Sequence, residues 1–420
     1  MTLENDPLVW PNANFSRVPY SVFESQEIFD REQQRVFRGP VWSYLCLEAE
    51  IPKPGDYLLC YVGDTEVVVT RKDNGDVASF VNRCAHRGST IVRLPRGNID
   101  NFTCVYHHWC YDSSGDLIGV PFQRGIKGKG GMPATFNKKD HGLEKLRVES
   151  YRGAVFGSFD PTSEPLVSYL DKPMTAFLDQ MFAKPIRIIG YMRQRIPANW
   201  KLYYENMTDS YHAGLLHQFG TTFGLWRNTQ KGGIVFDKMR RHAIEYSVSN
   251  SDDATSIADG YDGVDAYDDT LKLRDRSIIA FRDEWGDGRP THLLAVFPNA
   301  MFQKISNTLA TRQIRPKGPG EFELYWTYFG YQDDDDQLKA MRLEQVNLVG
   351  PGGLISMEDG ESGRLIQRTM HTAKGRKSVL EMGGTEKIED EETLVTETPL
   401  RAFWRYYRGL MDFPLGEGVA

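Results

Sequence analysis

Hydrophobic and polar positions along the chain fall into two textures. Between about residues 40 and 160 the apolar runs are short, β-branched or aromatic: Tyr57-Leu58-Leu59-Cys60-Tyr61-Val62, Glu66-Val67-Val68-Val69-Thr70, Ala78-Ser79-Phe80-Val81 and Ala154-Val155-Phe156-Gly157-Ser158-Phe159. Turn residues cut them apart at Gly63-Asp64, Asp73-Asn74-Gly75-Asp76 and Ser113-Ser114-Gly115-Asp116. This spacing predicts a small antiparallel β domain. A glycine-rich, lysine-bearing stretch, Arg124 to Pro133, interrupts it; without a Gly-Lys-Ser/Thr ending or a following helical pattern it reads as a loop, not a phosphate cradle.

Beyond about residue 185 the runs lengthen and mix. Helical periodicity is expected from Trp200 to Gln218 and from Asp334 to Val349, with strands at Leu293–Phe297 and Phe322–Phe329. The mixture predicts an α+β domain around a central antiparallel sheet. The four acids Asp333 to Asp336 suit the positive end of a helix better than a metal. Asp252–Asp275 and Gly383–Glu392 read as surface segments.

Composition narrows the function classes. With 40% apolar and 12% aromatic residues in 420, the chain has ample core material for two or three domains and is not disordered. A net charge of −7 leaves no basic footprint for nucleic acid. Five cysteines, an odd number, argue against a disulfide scaffold and for a reducing, cytoplasmic setting. The start, Met1 to Pro7, is acidic and proline-broken, unlike a secretory signal, and no apolar window is long enough to span a membrane.

The strongest chemical signal is Cys84-x-His86 followed by Cys104-x2-His107. Two thiolates and two imidazoles in loop-borne pairs can hold a four-ligand metal centre, zinc included. Each pair, however, is one Cys with one His, the order that suits a Rieske [2Fe-2S] cluster with Cys on one iron and His on the other. His108, adjacent to His107, offers an alternative ligand. Tyr106 and Trp109 are expected to pack around the site, and Cys46, Cys60 and Cys110 to be ordinary thiols.

Cys84-Ala85-His86-Arg87-Gly88 with Cys104-Val105-Tyr106-His107-His108-Trp109 resembles the Rieske motif of the α (oxygenase) subunits of Rieske non-heme iron aromatic-ring-hydroxylating oxygenases, and the resemblance extends over nearly the whole chain. It implies His107, not His108, as ligand. It also implies an α+β fold: an N-terminal segment, 1–40, packing on the catalytic domain; a β Rieske domain, 41–160; and a catalytic non-heme iron domain, 161–420.

A second set of ligands lies in Asn199 to His217. His212 and His217 are five apart, about 140° around an ideal helix, so a regular helix cannot aim both at one metal. A wide turn or π-type bulge near Ala213-Gly214 is the expected remedy. Asp209, three before His212, can orient that ring. Two histidines and one carboxylate form the facial triad of non-heme Fe(II) oxygenases. Gly350 to Gly360 offers two adjacent acids, Glu358 and Asp359, between which the sequence alone does not choose; the resemblance implies Asp359.

The resemblance implies further roles: Asp209 bridging a Rieske cluster and the iron of a neighbouring subunit along His107, Asp209 and His212, with Asn206 beside it; a trimer, α3 or α3β3, with a small β subunit common in the family; and O2 with electrons from NAD(P)H through a separate reductase and in some systems a ferredoxin. No dinucleotide fingerprint occurs in this chain. Within the family, Phe223–Arg227, Ala310–Ile314 and Thr396–Arg401 resemble the salicylate, anthranilate and terephthalate branch, which implies a carboxylated aromatic substrate. Arg312 and Arg401, with Ser247 as a hydroxyl donor, are the expected carboxylate contacts, because a fixed guanidinium binds carboxylate in a fork. The readings set against this are a Rieske electron carrier without oxygenase activity and a zinc-stabilised interaction module.

Overall fold

The computed structural model describes residues 8–373 and 375–416, so the Met1–Pro7 start lies outside the described residues. The chain divides into two compact units: Phe37–Leu166, and the described residues up to Val36 together with those from Val167 onward.

In Phe37–Leu166 the turn residues do what the pattern requires. Thr65–Arg71 pairs antiparallel with both Asp56–Val62 and Val77–Val81, and Arg96–Asn98 extends the sheet to four strands. Gly63, at the first of these reversals, takes a left-handed φ of 59°. Two smaller antiparallel sheets complete the unit, Phe102–Thr103 with Cys110–Tyr111 and Leu117–Gly119, and Ser43–Leu47 with Ala154–Ser158 and Arg147–Tyr151. Val68, Phe80, Phe102 and Tyr111 are buried in its core, and Cys84 and Cys104 are buried in the same cluster. The glycine-rich stretch is a string of turns.

The larger unit is built on a seven-stranded antiparallel sheet: β1 (Ile186–Ile196), β2 (Gly232–Phe236), β3 (Ala243–Ser247), β4 (Thr291–Val296), β5 (Ala300–Ile305), β6 (Thr308–Gly318) and β7 (Glu321–Tyr331), in the order β1-β7-β6-β5-β4-β3-β2. Side chains directly opposite share a face. The register therefore places three rows on one face: Arg312, Met301, Ala295 and Ala243; then Ala310, Gln303, Leu293 and Glu245; then Thr308, Ile305, Thr291 and Ser247. Its helices include α1 (Trp200–Thr208), α2 (Ser210–Leu216), α3 (Gln218–Phe223), α4 (Asp336–Val349), α5 (Leu354–Met370) and α6 (Thr398–Met411). Asp335 caps α4 through the amide of Leu338, so this acid of the run is a helix cap.

The N-terminal segment belongs to this unit. Arg17–Pro19 pairs with Lys377–Val379, and the fully buried Glu32 carboxylate accepts hydrogen bonds from Trp200 Nε1 at 2.7 Å and Lys201 Nζ at 2.5 Å. Residues 252–275, read as surface, include a helix, Ala254–Tyr261. No helix among the described residues is long and apolar enough to cross a membrane.

Candidate active site

The two Cys-His loops are built alike. The Gly88 amide donates to the Cys84 carbonyl at 2.9 Å, and the His108 amide to the Cys104 carbonyl, also at 2.9 Å. The Cys84 amide donates to Ser89 and the Cys104 amide to Trp109, at 2.8 and 2.9 Å. The residue closing each loop has a left-handed φ, 74° at Gly88 and 56° at His108. His108 is thus the backbone counterpart of Gly88, spent on the turn. His107 is the ring that faces His86, with centroids 4.6 Å apart, and His86 stacks on Trp109 at 4.6 Å.

Both cysteines are buried, while His86 is exposed and His107 half-buried. The Tyr111 hydroxyl accepts from the Ala85 amide at 3.1 Å, leaving its own proton for the Cys84 sulfur at 3.2 Å. A hydroxyl aimed at sulfur stabilises thiolate, and such bonds tune cluster potentials. Buried sulfurs on one side and paired imidazoles on the other fit a cluster whose two irons differ in ligation.

The second site solves its spacing problem differently from expectation. α2 runs unbroken through Ala213-Gly214, so the bulge expected there is absent. The helical course is interrupted at two other points. Asp209 is extended, with φ −98° and ψ 96°, and its carboxylate caps α2 by accepting from the amides of Tyr211 and His212 at 2.9 and 3.3 Å. His217 lies outside both α2 and α3, with φ −91° and ψ 73°. A histidine at a non-helical junction is free of the 100° step, and this lets its ring meet His212. Gly214 serves close approach instead: a Cβ there would lie 1.8 Å from Asn228 Oδ1.

Asp359 reaches the pair from α5. That helix lies tight on β1 at Gly360, where a Cβ would come within 2.8 Å of the Gln194 amide nitrogen. Asp359 Oδ1 lies 3.4 Å from His212 Nε2 and 3.2 Å from His217 Nε2, and one ligand atom from each residue falls within 4.8 Å of the others. The far nitrogens face carboxylates. Glu358 Oε2 is 2.7 Å from His217 Nδ1, and Asp209 Oδ2 is 3.4 Å from His212 Nδ1, an electrostatic contact longer than a good hydrogen bond. Carboxylates there hold protons on Nδ1 and leave both Nε2 lone pairs for a metal. Both acids that the sequence left open are therefore used, on opposite sides of His217.

Burial alone would depress both imidazoles, yet the surrounding carboxylates outweigh it and raise them. Burial would raise Asp359, yet the two histidines hold it well below the usual carboxylate range. Such a field suits a cation. The Asn206 amide nitrogen lies 3.1 Å from both His212 Nε2 and Asp359 Oδ1.

Beside the triad opens a cavity walled by Leu225, Trp226, Leu293, Met301 and Ile305. Arg312 enters it from β6. Its guanidinium stacks 4.3 Å over Trp326, donates from Nη1 to Tyr203 at 2.9 Å, and donates from Nε to Gln303 at 2.7 Å. The other two expected carboxylate contacts are placed elsewhere. Arg401 is fully buried on α6 and spends its guanidinium on the carbonyls of Leu380 and Met382 and the Thr398 hydroxyl; it does not line this cavity. Ser247 is on the cavity face of β3 but in the row beyond Glu245, and it is not a lining residue. Tyr203, Gln303 and Glu245 are site residues for which the sequence carries no signal; Glu358, offered there as the alternative to Asp359, faces His217 Nδ1 instead.

Comparison with known proteins agrees with this geometry. Residues 41–133 match the Rieske [2Fe-2S] domain and residues 183–412 the ring-hydroxylating α subunit (catalytic domain). The chain is 46% identical to the anthranilate 1,2-dioxygenase large subunit of Burkholderia cepacia, covering 96% of this chain and 95% of that one. It is 43% identical to a terephthalate 1,2-dioxygenase terminal oxygenase component subunit alpha of Comamonas sp, over 97% and 98%, and 40% identical to the salicylate 5-hydroxylase large oxygenase component of Ralstonia sp, over 96% and 96%. The fold is that of naphthalene 1,2-dioxygenase from Rhodococcus sp., with TM-score 0.77, 24% identity and 94% of each chain covered. Full-length coverage of oxygenase subunits leaves neither the stand-alone electron carrier nor the zinc module any support. The chain belongs to the Rieske non-heme iron ring-hydroxylating oxygenases, as an α subunit whose cofactors are a Rieske [2Fe-2S] cluster and a mononuclear iron.

Proposed function

We propose that this subunit is the cytoplasmic terminal oxygenase for a carboxylated aromatic ring, in which Cys84, His86, Cys104 and His107 hold the cluster and His212, His217 and Asp359 hold the iron. When bound, the cluster supplies single electrons and the iron activates O2 for attack on the ring. The chain's own residues do the rest. Glu358 and Asp209 fix the tautomer and direction of the two imidazoles, Asn206 stands at the mouth of the triad, and the apolar walls hold a ring and exclude water. Asp209, partly exposed beside His212, carries the contact to a neighbouring subunit's cluster in a trimer, α3 or α3β3, refilled by a reductase with or without a ferredoxin.

The observation that carries the substrate class is Arg312. It is a buried guanidinium, held on three sides by Trp326, Tyr203 and Gln303, and it is the one guanidinium or ammonium group among the residues that line the cavity. A cation placed there costs desolvation unless an anion completes it, and a ring carboxylate does so in a fork. Relatives of this chain act on anthranilate, terephthalate and salicylate, as their names state. The test is product analysis with purified oxygenase, reductase partners and a panel of benzoate, salicylate, anthranilate and phthalate isomers. Oxygenated rings from this panel are expected, and Arg312→Ala raises KM for the acid far more than for a neutral analogue. Equal effects on both reject the clamp.

A further inference from the structure

Glu245 is a buried carboxyl with no part in holding either metal or the ring carboxylate. It projects from β3 into the same cavity, opposite Leu293 in the sheet register, and is 6% exposed. Among the described residues its carboxyl has no hydrogen-bond or ion-pair partner, although nearly every other charged group around the cavity is engaged. A buried polar group without a partner is costly, which makes it a candidate for completion by a ligand.

Its position relative to Arg312 gives the ligand a shape. The two residues lie on one face of the sheet, three strands apart and one row offset, about 15 Å between backbones by ordinary strand spacing. Both side chains line the same cavity, so a substituted ring seated there can meet each of them. Among the lining residues Arg312 is the sole guanidinium or ammonium group. A second ring carboxylate would therefore lack a cation and would meet Glu245 instead.

Resting on the carboxylated-ring reading, we propose that Glu245 is a specificity-determining residue that accepts a hydrogen bond from an amino or hydroxyl group on the substrate ring, so that the preferred substrate is a monocarboxylated ring bearing such a donor and not a dicarboxylate. Burial pushes the Glu245 carboxyl up to about 8, with Asp209 adding to the rise and His212 opposing it. A carboxyl oxygen of Glu245 is the acceptor in either protonation state, and a second ring carboxylate in this cavity would find no further cation to pair with.

The experiment uses the loaded oxygenase with its reductase and compares kcat/KM for benzoate, the amino- and hydroxybenzoates and the benzenedicarboxylates, in wild type, Glu245→Leu and Glu245→Gln, with iron and cluster content measured in each. Wild type is expected to favour a donor-bearing acid over benzoate by about tenfold or more. Glu245→Leu should bring that ratio to within about threefold of unity, mainly through KM. Glu245→Gln, whose amide oxygen accepts the same bond, should keep most of it. A ratio unchanged in Glu245→Leu, or a wild type that prefers benzoate or a dicarboxylate, overturns the inference and leaves the carboxylated-ring reading standing. Turnover of none of these acids by protein with both iron centres loaded overturns that reading and this inference with it.

Discussion

The two regions proposed to hold metal reach similar ends by opposite means. The cluster loops of the Phe37–Leu166 unit are local: each Cys-His pair sits in one short turn, and its shape comes from backbone hydrogen bonds that repeat between Cys84 and Cys104. The iron site is assembled from distant parts. His212 and His217 come from α2 and the junction after it, Asp359 comes from α5, and the rings are aimed by the side chains of Asp209 and Glu358. A site made by backbone tolerates side-chain change except at its ligands. A site made by side chains is sensitive to neighbours that touch no metal.

The largest effect should come from Asp359→Ala, which removes the only carboxylate of the triad. Ring hydroxylation falls by at least about a thousandfold, and metal analysis shows the mononuclear iron lost while the visible absorption of the cluster stays. Loss of the cluster in the same variant would break the separation drawn here. Asp209→Asn is the next largest. The amide still caps α2 but no longer holds a negative charge at His212 Nδ1; both metals are retained and kcat falls by about a hundredfold or more. Normal turnover in that variant would remove Asp209 from the account.

The two regions also differ in buried charge, which gives a stability test. Burial pushes the Glu245 carboxyl up to about 8 in the folded protein without iron, from an ordinary 4.5. A raised carboxyl supports the fold fully only below about pH 4.5, and that support is lost as pH climbs toward 8. Relative to Glu245→Gln, the wild type should therefore lose up to about 3 kcal/mol between pH 6 and pH 9. Thermal melting at the two pH values measures it, and a difference independent of pH would show that the carboxyl is not buried as described.

Glu358→Gln should weaken iron binding by about 10- to 100-fold through mis-set His217, without loss of the cluster. The smallest effect is expected on the local side. His108 holds a left-handed φ of 56°, so His108→Gly should change stability by less than about 1 kcal/mol and keep the cluster spectrum. His107→Gly abolishes that spectrum. Loss of the cluster in His108→Gly would make His108 a ligand.

Locality also explains what could be read from sequence. The Cys84, His86 and Cys104 signal is legible because its residues lie within a few positions of a turn; the proposal of His107 over His108 rests on the family resemblance, and the left-handed φ of His108 and the His86–His107 ring contact support it. The strands at Leu293–Phe297 and Phe322–Phe329 were legible as β-branched and aromatic runs, and fall in β4 and β7. The helix read from Trp200 to Gln218 was right in type and wrong in continuity, since an aspartate cap and a non-helical histidine carry no periodicity signal. Arg401 and Ser247 were chosen by residue type and motif, and type does not say where a side chain ends. Glu245 left no trace at all, because its place in the cavity depends on register between β3 and β4.

The most direct test is a single turnover. The oxygenase is reduced, freed of reductase and excess reductant, then given O2 with a carboxylated aromatic acid that it binds, while the cluster spectrum and the product are followed together. The account predicts cluster oxidation in step with hydroxylated product, and in Asp209→Asn a cluster that stays reduced. Oxidation of the cluster at the same rate without any ring oxygenation, or product formed at an undiminished rate in Asp209→Asn, would contradict it.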